Sequence, residues 1–211
     1  AREAERLALE GATPAQIDGA LEDFGMGMGI LAVFDMSGVD VGVKARRANP
    51  DHVPADDPTF YRASQLLFDQ NWLGQKNGKG WYDYQAGKRD AIPNAEVEAM
   101  IVKHRETLGI TPRKISDDEI VHRLVFSLVN EAAHILEEGI ANKASDIDIV
   151  YIYGYGFPVY RGGPMNYANQ VGLFNVAQMM KKFQQNPLDD AKFWEPAPLI
   201  KKLVAEGKSF V

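Results

Sequence analysis

The sequence predicts an all-α chain built from two tandem copies of one small helical unit, packed pseudo-symmetrically. Three observations predict it. Apolar residues recur at helical spacing, most clearly from Ile120 to Leu136. Capping boxes and glycine stops punctuate the chain where helices should start and end. The order of these signals in the first half returns in the second, as an internal duplication would make it.

The first helix is the opening segment AREAERLAL, which stops at Gly11, a good residue just past a helix end. It reads as mid-helix with no capping residue before it, so the chain reads as a piece or processed product of something longer. Thr13-Pro14-Ala15-Gln16 is the next start: Thr13 caps, Pro14 suits the first helical position and Gln16 reaches back. Ile17, Ala20, Leu21 and Phe24 line one face of that short helix. Gly25-Met26-Gly27-Met28-Gly29 turns the chain, and Ile30 to Met36 resumes a helical run towards Gly38.

Residues 45–60 carry three prolines and mixed charge and read as a surface loop. Tyr61 to Leu73 reads as a helix with Leu66, Leu67 and Phe68 inward. Gly74-Gln75-Lys76-Asn77-Gly78-Lys79-Gly80 is turn chemistry, and Trp81-Tyr82-Asp83-Tyr84 then alternates like a short strand. Ser116 with Glu119 forms a second capping box, which also accounts for the acidic cluster there through the helix dipole. Its helix carries Ile120, Val121, Leu124, Val125, Leu128, Val129, Ala132, Ile135 and Leu136 and closes at Gly139. Ser145 caps another helix, and a glycine-aromatic stretch from Tyr151 to Gly163 precedes a run to Gly172.

The duplication is visible residue by residue. Glu10-Gly11, Ile17-Asp18, Phe24-Gly25-Met26, Gly29-Ile30 and Gly38 are answered by Glu138-Gly139, Ile147-Asp148, Tyr155-Gly156-Phe157, Gly163-Pro164 and Gly172. Gly29 and Gly38 are as far apart as Gly163 and Gly172. The boundary falls near residues 108–115, giving domains over 1–110 and 111–211.

Composition narrows the function. The chain has 211 residues, 45% hydrophobic and 25% charged, as an ordinary globular chain does. It has no cysteine, which excludes disulfides, thiolate metal sites and a cysteine nucleophile. A net charge of −6 argues against nucleic-acid binding by bulk charge. No apolar run reaches the length of a membrane span, and no signal-peptide pattern opens the chain. The four histidines show no i, i+4 pair and no H-E-x-x-H, so no metal site is read. His134 reads as surface or capping, His52 as part of the polar loop and His104 as part of a charged helix.

The segment RLVFSLVNEAAHILEEGIANKASDIDIVYIYGYGFPVYRGGPMNY, Arg123 to Tyr167, resembles the last part of the multifunctional fatty-acid β-oxidation enzymes. These fuse an enoyl-CoA hydratase/isomerase to a 3-hydroxyacyl-CoA dehydrogenase. In the first half EGATPAQID, FGMGMG and GQKNGKGWYDY carry the same resemblance, in the expected order. It covers nearly the whole chain. It implies two tandem copies of a 6-phosphogluconate-dehydrogenase-like helical C-domain, the second degenerate. The parent would oxidise (S)-3-hydroxyacyl-CoA to 3-ketoacyl-CoA with NAD, after a hydratase half has added water to the enoyl-CoA. This chain would supply one wall of the acyl-CoA cleft and the interface scaffold.

The resemblance also implies what is elsewhere. NAD belongs to a Rossmann domain outside this chain, so no cofactor is expected here. Gly25, Gly27 and Gly29 follow a helix rather than a strand, which reads as a helix-to-helix turn and not a nucleotide loop. The catalytic His–Glu pair also lies in the Rossmann part, so no catalytic residue is expected and the chain alone should be inactive. The family's Asn-Arg dipeptide would lie upstream of Ala1, and the matching place in the second copy reads His122-Arg123.

Three substrate contacts are therefore candidates: Lys76 and Lys79 at a CoA phosphate, with Trp81 stacking nearby, and His122 as a relic of the Asn. Each has a plainer reading, as the exposed turn of a two-stranded element or as a structural histidine. The aromatics of Tyr151–Tyr160 read as core packing rather than a ligand platform, and Arg161 as pairing with a carboxylate across the repeat interface. The partners implied are acyl-CoA through the parent and a thiolase subunit, with a homo-oligomer as a candidate assembly. Lys208-Ser209-Phe210-Val211 does not match a Ser-Lys-Leu signal, and the parent is read as bacterial and cytoplasmic. The alternative is a free-standing, non-catalytic helical protein that binds acyl-CoA or a partner.

Overall fold

A computed structural model describes residues 1–49 and 62–211. Among these, eleven α-helices account for nearly all regular structure, with one two-stranded antiparallel sheet. The chain divides into two compact units: Ala1–Glu22 with Met28–Ile120, and Asp23–Gly27 with Val121–Val211.

The first unit begins with α1 (Arg2–Glu10), every residue of which is buried. It packs on α5 (Arg62–Asp69) and α6 (Ala95–Thr107). Its last carbonyls have no partners within the helix. Arg105 supplies them from α6, donating through Nε to Leu9 O at 2.7 Å and through a terminal guanidinium nitrogen to Ala8 O at 2.8 Å. α2 (Pro14–Phe24) starts where the capping signal places it, with Gln16 N donating to Thr13 Oγ1. α3 (Ile30–Ser37) ends at Gly38, and α4 (Val39–Ala48) starts at once.

α4 has no counterpart among the helices expected from the sequence. Residues 45–48, read as loop, form its last turn, where Arg46 and Arg47 suit the negative end of the helix dipole. The rest of that loop, with His52, lies outside the described residues. α5 stops at Asp69, short of Leu73, because Asn71 takes a left-handed backbone (φ 59) and Trp72 N turns back to Leu67 O. The aromatic strand forms as β1 (Tyr82–Asp83), paired with β2 (Ile92–Pro93).

α7 (Asp117–Glu137) starts in the first unit, where Glu119 N bonds to its cap, Ser116 Oγ, and from Val121 onward it carries the core of the second. Val121, Leu124, Val125, Val129 and Ala132 are buried as the spacing predicts, and Phe126 and Ala133 join them. α8 (Ala144–Tyr155) starts one residue before the expected Ser145 cap. Asp146 accepts from Lys143 N, and Ala144 N donates to Val211 O, which fixes the start there. α9 (Pro164–Val171), α10 (Leu173–Phe183) and α11 (Pro198–Glu206) follow, each packed on the next. Among the described residues no helix is long and apolar enough to cross a membrane.

Candidate functional site

The polar heart of the first unit is a pair of buried aspartates. Asp18, on α2, accepts from Leu31 N and Ala32 N at the start of α3, each at 2.9 Å, and from the Tyr82 hydroxyl at 2.9 Å. Asp35, near the end of α3, accepts from Trp81 N (2.9 Å), Tyr82 N (3.0 Å) and the Tyr84 hydroxyl (2.9 Å). Tyr82 thus ties one carboxylate to the other. Burial pushes both acids up to about 6, against the downward pull of their donors. A raised carboxyl in a cleft is a candidate acid or base. Here every donor is a protein group that closes the fold, so the pair pins α2, α3 and the aromatic strand together.

The second unit repeats the device. Asp148, on α8, accepts from Met165 N (2.7 Å) and Asn166 N (3.1 Å) at the start of α9. The glycine before each capped helix makes room for the carboxylate. A Cβ on Gly29 would lie 2.1 Å from Asp18 Cβ, and one on Gly163 would lie 2.4 Å from Asp148 Cβ. Asn169 stands where the first unit has Asp35. It accepts from Phe210 N at 2.9 Å and donates to Phe210 O at 3.0 Å, so residues around Phe210 take the place of the Trp81–Tyr82 strand. These positions are legible in the sequence as markers of the repeat, but their role is not; an Asp and a later Gly present in both halves are the available signal.

Of the three predicted contact residues, Lys76 and Lys79 lie in the first unit and His122 in the second. Lys76 lies in the 3₁₀ turn Gln75–Asn77 and pairs with Asp40, which also takes Lys44 at 2.8 Å. The hydrogen bond from Lys44, then that from Lys76, holds Asp40 at about 2. Lys79 reaches Glu96 at 3.0 Å and lies 4.3 Å over the Trp72 ring. Trp81, expected to stack nearby, is fully buried. His122 lies in the second unit, stacked on Phe126 with ring centroids 5.0 Å apart.

Trp81 borders a cavity of about 240 Å³ in the first unit, together with Phe34, Val39, Arg46, Ser64 and Glu5. Its indole N–H is buried and has no hydrogen-bond partner among the described residues. Glu5 accepts from Ser64 N at 2.9 Å, and burial raises its carboxyl. The cavity is therefore apolar-walled, with a donor and an acid at its edge.

Arg161 departs from its expected role. Among the described residues its partner is no carboxylate: Nε donates to Phe24 O at 3.0 Å, and the guanidinium lies 4.0 Å over the Phe24 ring. The neighbouring aromatics do pack: Phe24 meets Phe157 and Tyr167 edge-on. Tyr153, Tyr155 and Tyr160 are largely exposed, which the core-packing reading did not anticipate. Buried Arg123 beside Asp189 (3.8 Å) is a structural pair that their separation in sequence hides.

The Gly25–Gly29 turn joins two helices, α2 and α3. It lacks the strand–loop–helix geometry that holds a dinucleotide pyrophosphate, so its residues do not fit NAD. Among the described residues no group of three or more His, Asp or Glu is placed to hold a metal.

A family model described as 3-hydroxyacyl-CoA dehydrogenase, C-terminal domain, matches residues 1–84 and 120–209. The chain is 43% identical over 95% of its length to the peroxisomal bifunctional enzyme of Danio rerio, and 40% identical to that of Homo sapiens. It is 31% identical over 97% of its length to the fatty acid oxidation complex subunit alpha of a Psychrobacter species. It spans 29% of the length of the first two proteins and 28% of the third. Among solved structures it resembles the dehydrogenase part of multifunctional enzyme 1 from C. elegans. There the TM-score is 0.72 at 27% identity, covering 95% of this chain and 44% of that one. The fold also matches 3-hydroxybutyryl-CoA dehydrogenase of Escherichia coli, with a TM-score of 0.68 at 21% identity over 97% of this chain and 58% of that one.

Proposed function

The chain belongs to the 3-hydroxyacyl-CoA dehydrogenase C-terminal domain family, and from that premise we propose that it forms one wall of an acyl-CoA cleft within a longer multifunctional β-oxidation enzyme. The observation that carries this reading is the double match of one family model, at residues 1–84 and 120–209. Two tandem copies, over 1–110 and 111–211, are the arrangement we propose. The parent oxidises (S)-3-hydroxyacyl-CoA with NAD, and the group that holds NAD and the catalytic His–Glu pair lie in another part of it. The helix-to-helix setting of the Gly25–Gly29 turn supports placing NAD elsewhere.

Lys76, Lys79 and His122 enter this proposal as the substrate contacts to substitute. Lys76 is the more accessible lysine, 46% exposed against 26% for Lys79. Replacing either by Ala in the parent should weaken acyl-CoA binding about two- to five-fold, the worth of a solvent-screened charge. A partner subunit such as a thiolase is supported by the bacterial relatives, whose name makes them subunits of a complex. The bacterial source of those relatives supports a bacterial parent, and its cytoplasmic placement is our proposal beside relatives that are named peroxisomal.

Calorimetric titration of residues 1–211 with an acyl-CoA and with NAD tests the reading. A single wall should hold acyl-CoA more weakly than micromolar and NAD not at all. Micromolar binding of either would show a complete site in this chain and overturn the reading.

A further inference from the structure

The second unit contains five residues from the first half of the chain, Asp23–Gly27. The carbonyl of Phe24, at the end of α2, accepts two bonds, from the Tyr160 hydroxyl at 2.8 Å and from Arg161 Nε at 3.0 Å. The Arg161 guanidinium covers the Phe24 ring on one side, and Phe157 and Tyr167 meet its edge. Gly27 N donates to Gly156 O at 3.0 Å. Gly25 has φ +114, and a Cβ there would lie 2.7 Å from Tyr160 Oη and 2.9 Å from Pro158 Cβ. That position therefore admits only glycine without a shift of the brace.

An ordinary helix end needs one bond per orphan carbonyl, and neighbouring turns usually supply it. Here one carbonyl takes two side-chain donors from a distant stretch of sequence, and one of them, Arg161, also stacks. The turn they hold is half-buried at Met26 and exposed at Gly27, so it is fixed from one side and open on the other. A glycine-rich turn left unbraced would sample many backbone conformations.

We infer that Arg161 is a positioning residue, which sets the conformation of the Phe24–Gly27 turn and acts through the ring row Phe24–Tyr167–Phe126 on His122, one of the proposed substrate contacts. The inference rests on the function proposed above for its effect on substrate, but not for the brace itself. The degenerate second copy thereby gains a role in holding the turn of the first. Arg161 touches no reacting atom and is not a catalytic residue.

Amide hydrogen exchange on residues 1–211 and steady-state kinetics of the parent enzyme test it together. In Arg161→Ala, exchange at Gly27 should quicken at least about ten-fold, as an opened local bond allows. In the parent, KM for (S)-3-hydroxyacyl-CoA should rise about five-fold with kcat nearly unchanged, the pattern of lost ground-state positioning. Arg161→Lys keeps the charge but lacks Nε and the planar face, so it should not rescue KM. Tyr160→Phe should move both readouts the same way by less. Unchanged exchange at Gly27 overturns the brace. Faster exchange with unmoved KM, or full rescue by lysine, overturns the positioning role. Should Arg161→Ala fail to fold, Tyr160→Phe and Arg161→Lys decide by the same readouts. A wild-type parent without dehydrogenase activity would sink the proposed function instead, and Gly27 exchange would still judge the brace.

Discussion

Asp35 is fully buried and meets three donors, yet burial still raises it to about 6 from an ordinary value of 3.8. The sign of the consequence follows from linkage. A carboxyl raised in the folded state contributes stability that is fully present below its unfolded pKa and lost as pH rises through the folded one. For Asp35 that window runs from about pH 4 to about pH 6, and the loss is about 3 kcal/mol. Asp35→Asn stays neutral throughout. The stability gap between wild type and Asp35→Asn, from urea unfolding, should therefore move about 3 kcal/mol in the variant's favour between about pH 4 and about pH 7. A gap independent of pH contradicts this account of the buried pair. Asn at this position has a precedent in the molecule: Asn169 does the matching work in the second unit with one donor and one acceptor. Lys76 makes a contrast. Its side chain is 46% exposed, so Lys76→Ala should cost less than about 1 kcal/mol in thermal unfolding, despite its pairing with Asp40.

At the scale of elements, α3 and α9 are held by one device, a buried aspartate on the preceding helix and a glycine that clears its path. Gly29→Ala and Gly163→Ala should each destabilise by more than about 2 kcal/mol, because Cβ would overlap a side chain fixed by two backbone bonds. Gly19, inside α2, is the control, since a Cβ added there would meet nothing within 4 Å. Gly19→Ala should stabilise by about 0.5–1 kcal/mol through helix propensity. Equal effects at all three positions would show that the aspartate contacts do not matter. Helix starts are legible in the sequence where a local cap exists, as at Thr13 and Ser116. α4 is not, because it begins at Gly38 without a side-chain cap, and its charged end looks like loop composition. The partners of Asp18 and Asp35 are invisible for another reason: Tyr82, Trp81 and Tyr84 lie 46 to 64 residues away.

For the whole molecule, the helical spacing and the capping signals make the all-α architecture readable. The site is less legible. Trp81, expected to stack near a CoA phosphate, is fully buried, and Arg161 holds a carbonyl and an aromatic ring instead of a carboxylate. Such choices depend on which of several nearby groups the fold turns inward, and periodicity does not specify that. In the proposed function this chain serves a dehydrogenase without holding its chemistry. The most direct test is to supply (S)-3-hydroxyacyl-CoA and NAD to residues 1–211 alone and to the longer parent, and to follow NADH. NADH is expected from the parent and none from residues 1–211; NADH formed by residues 1–211 alone would overturn the proposed function.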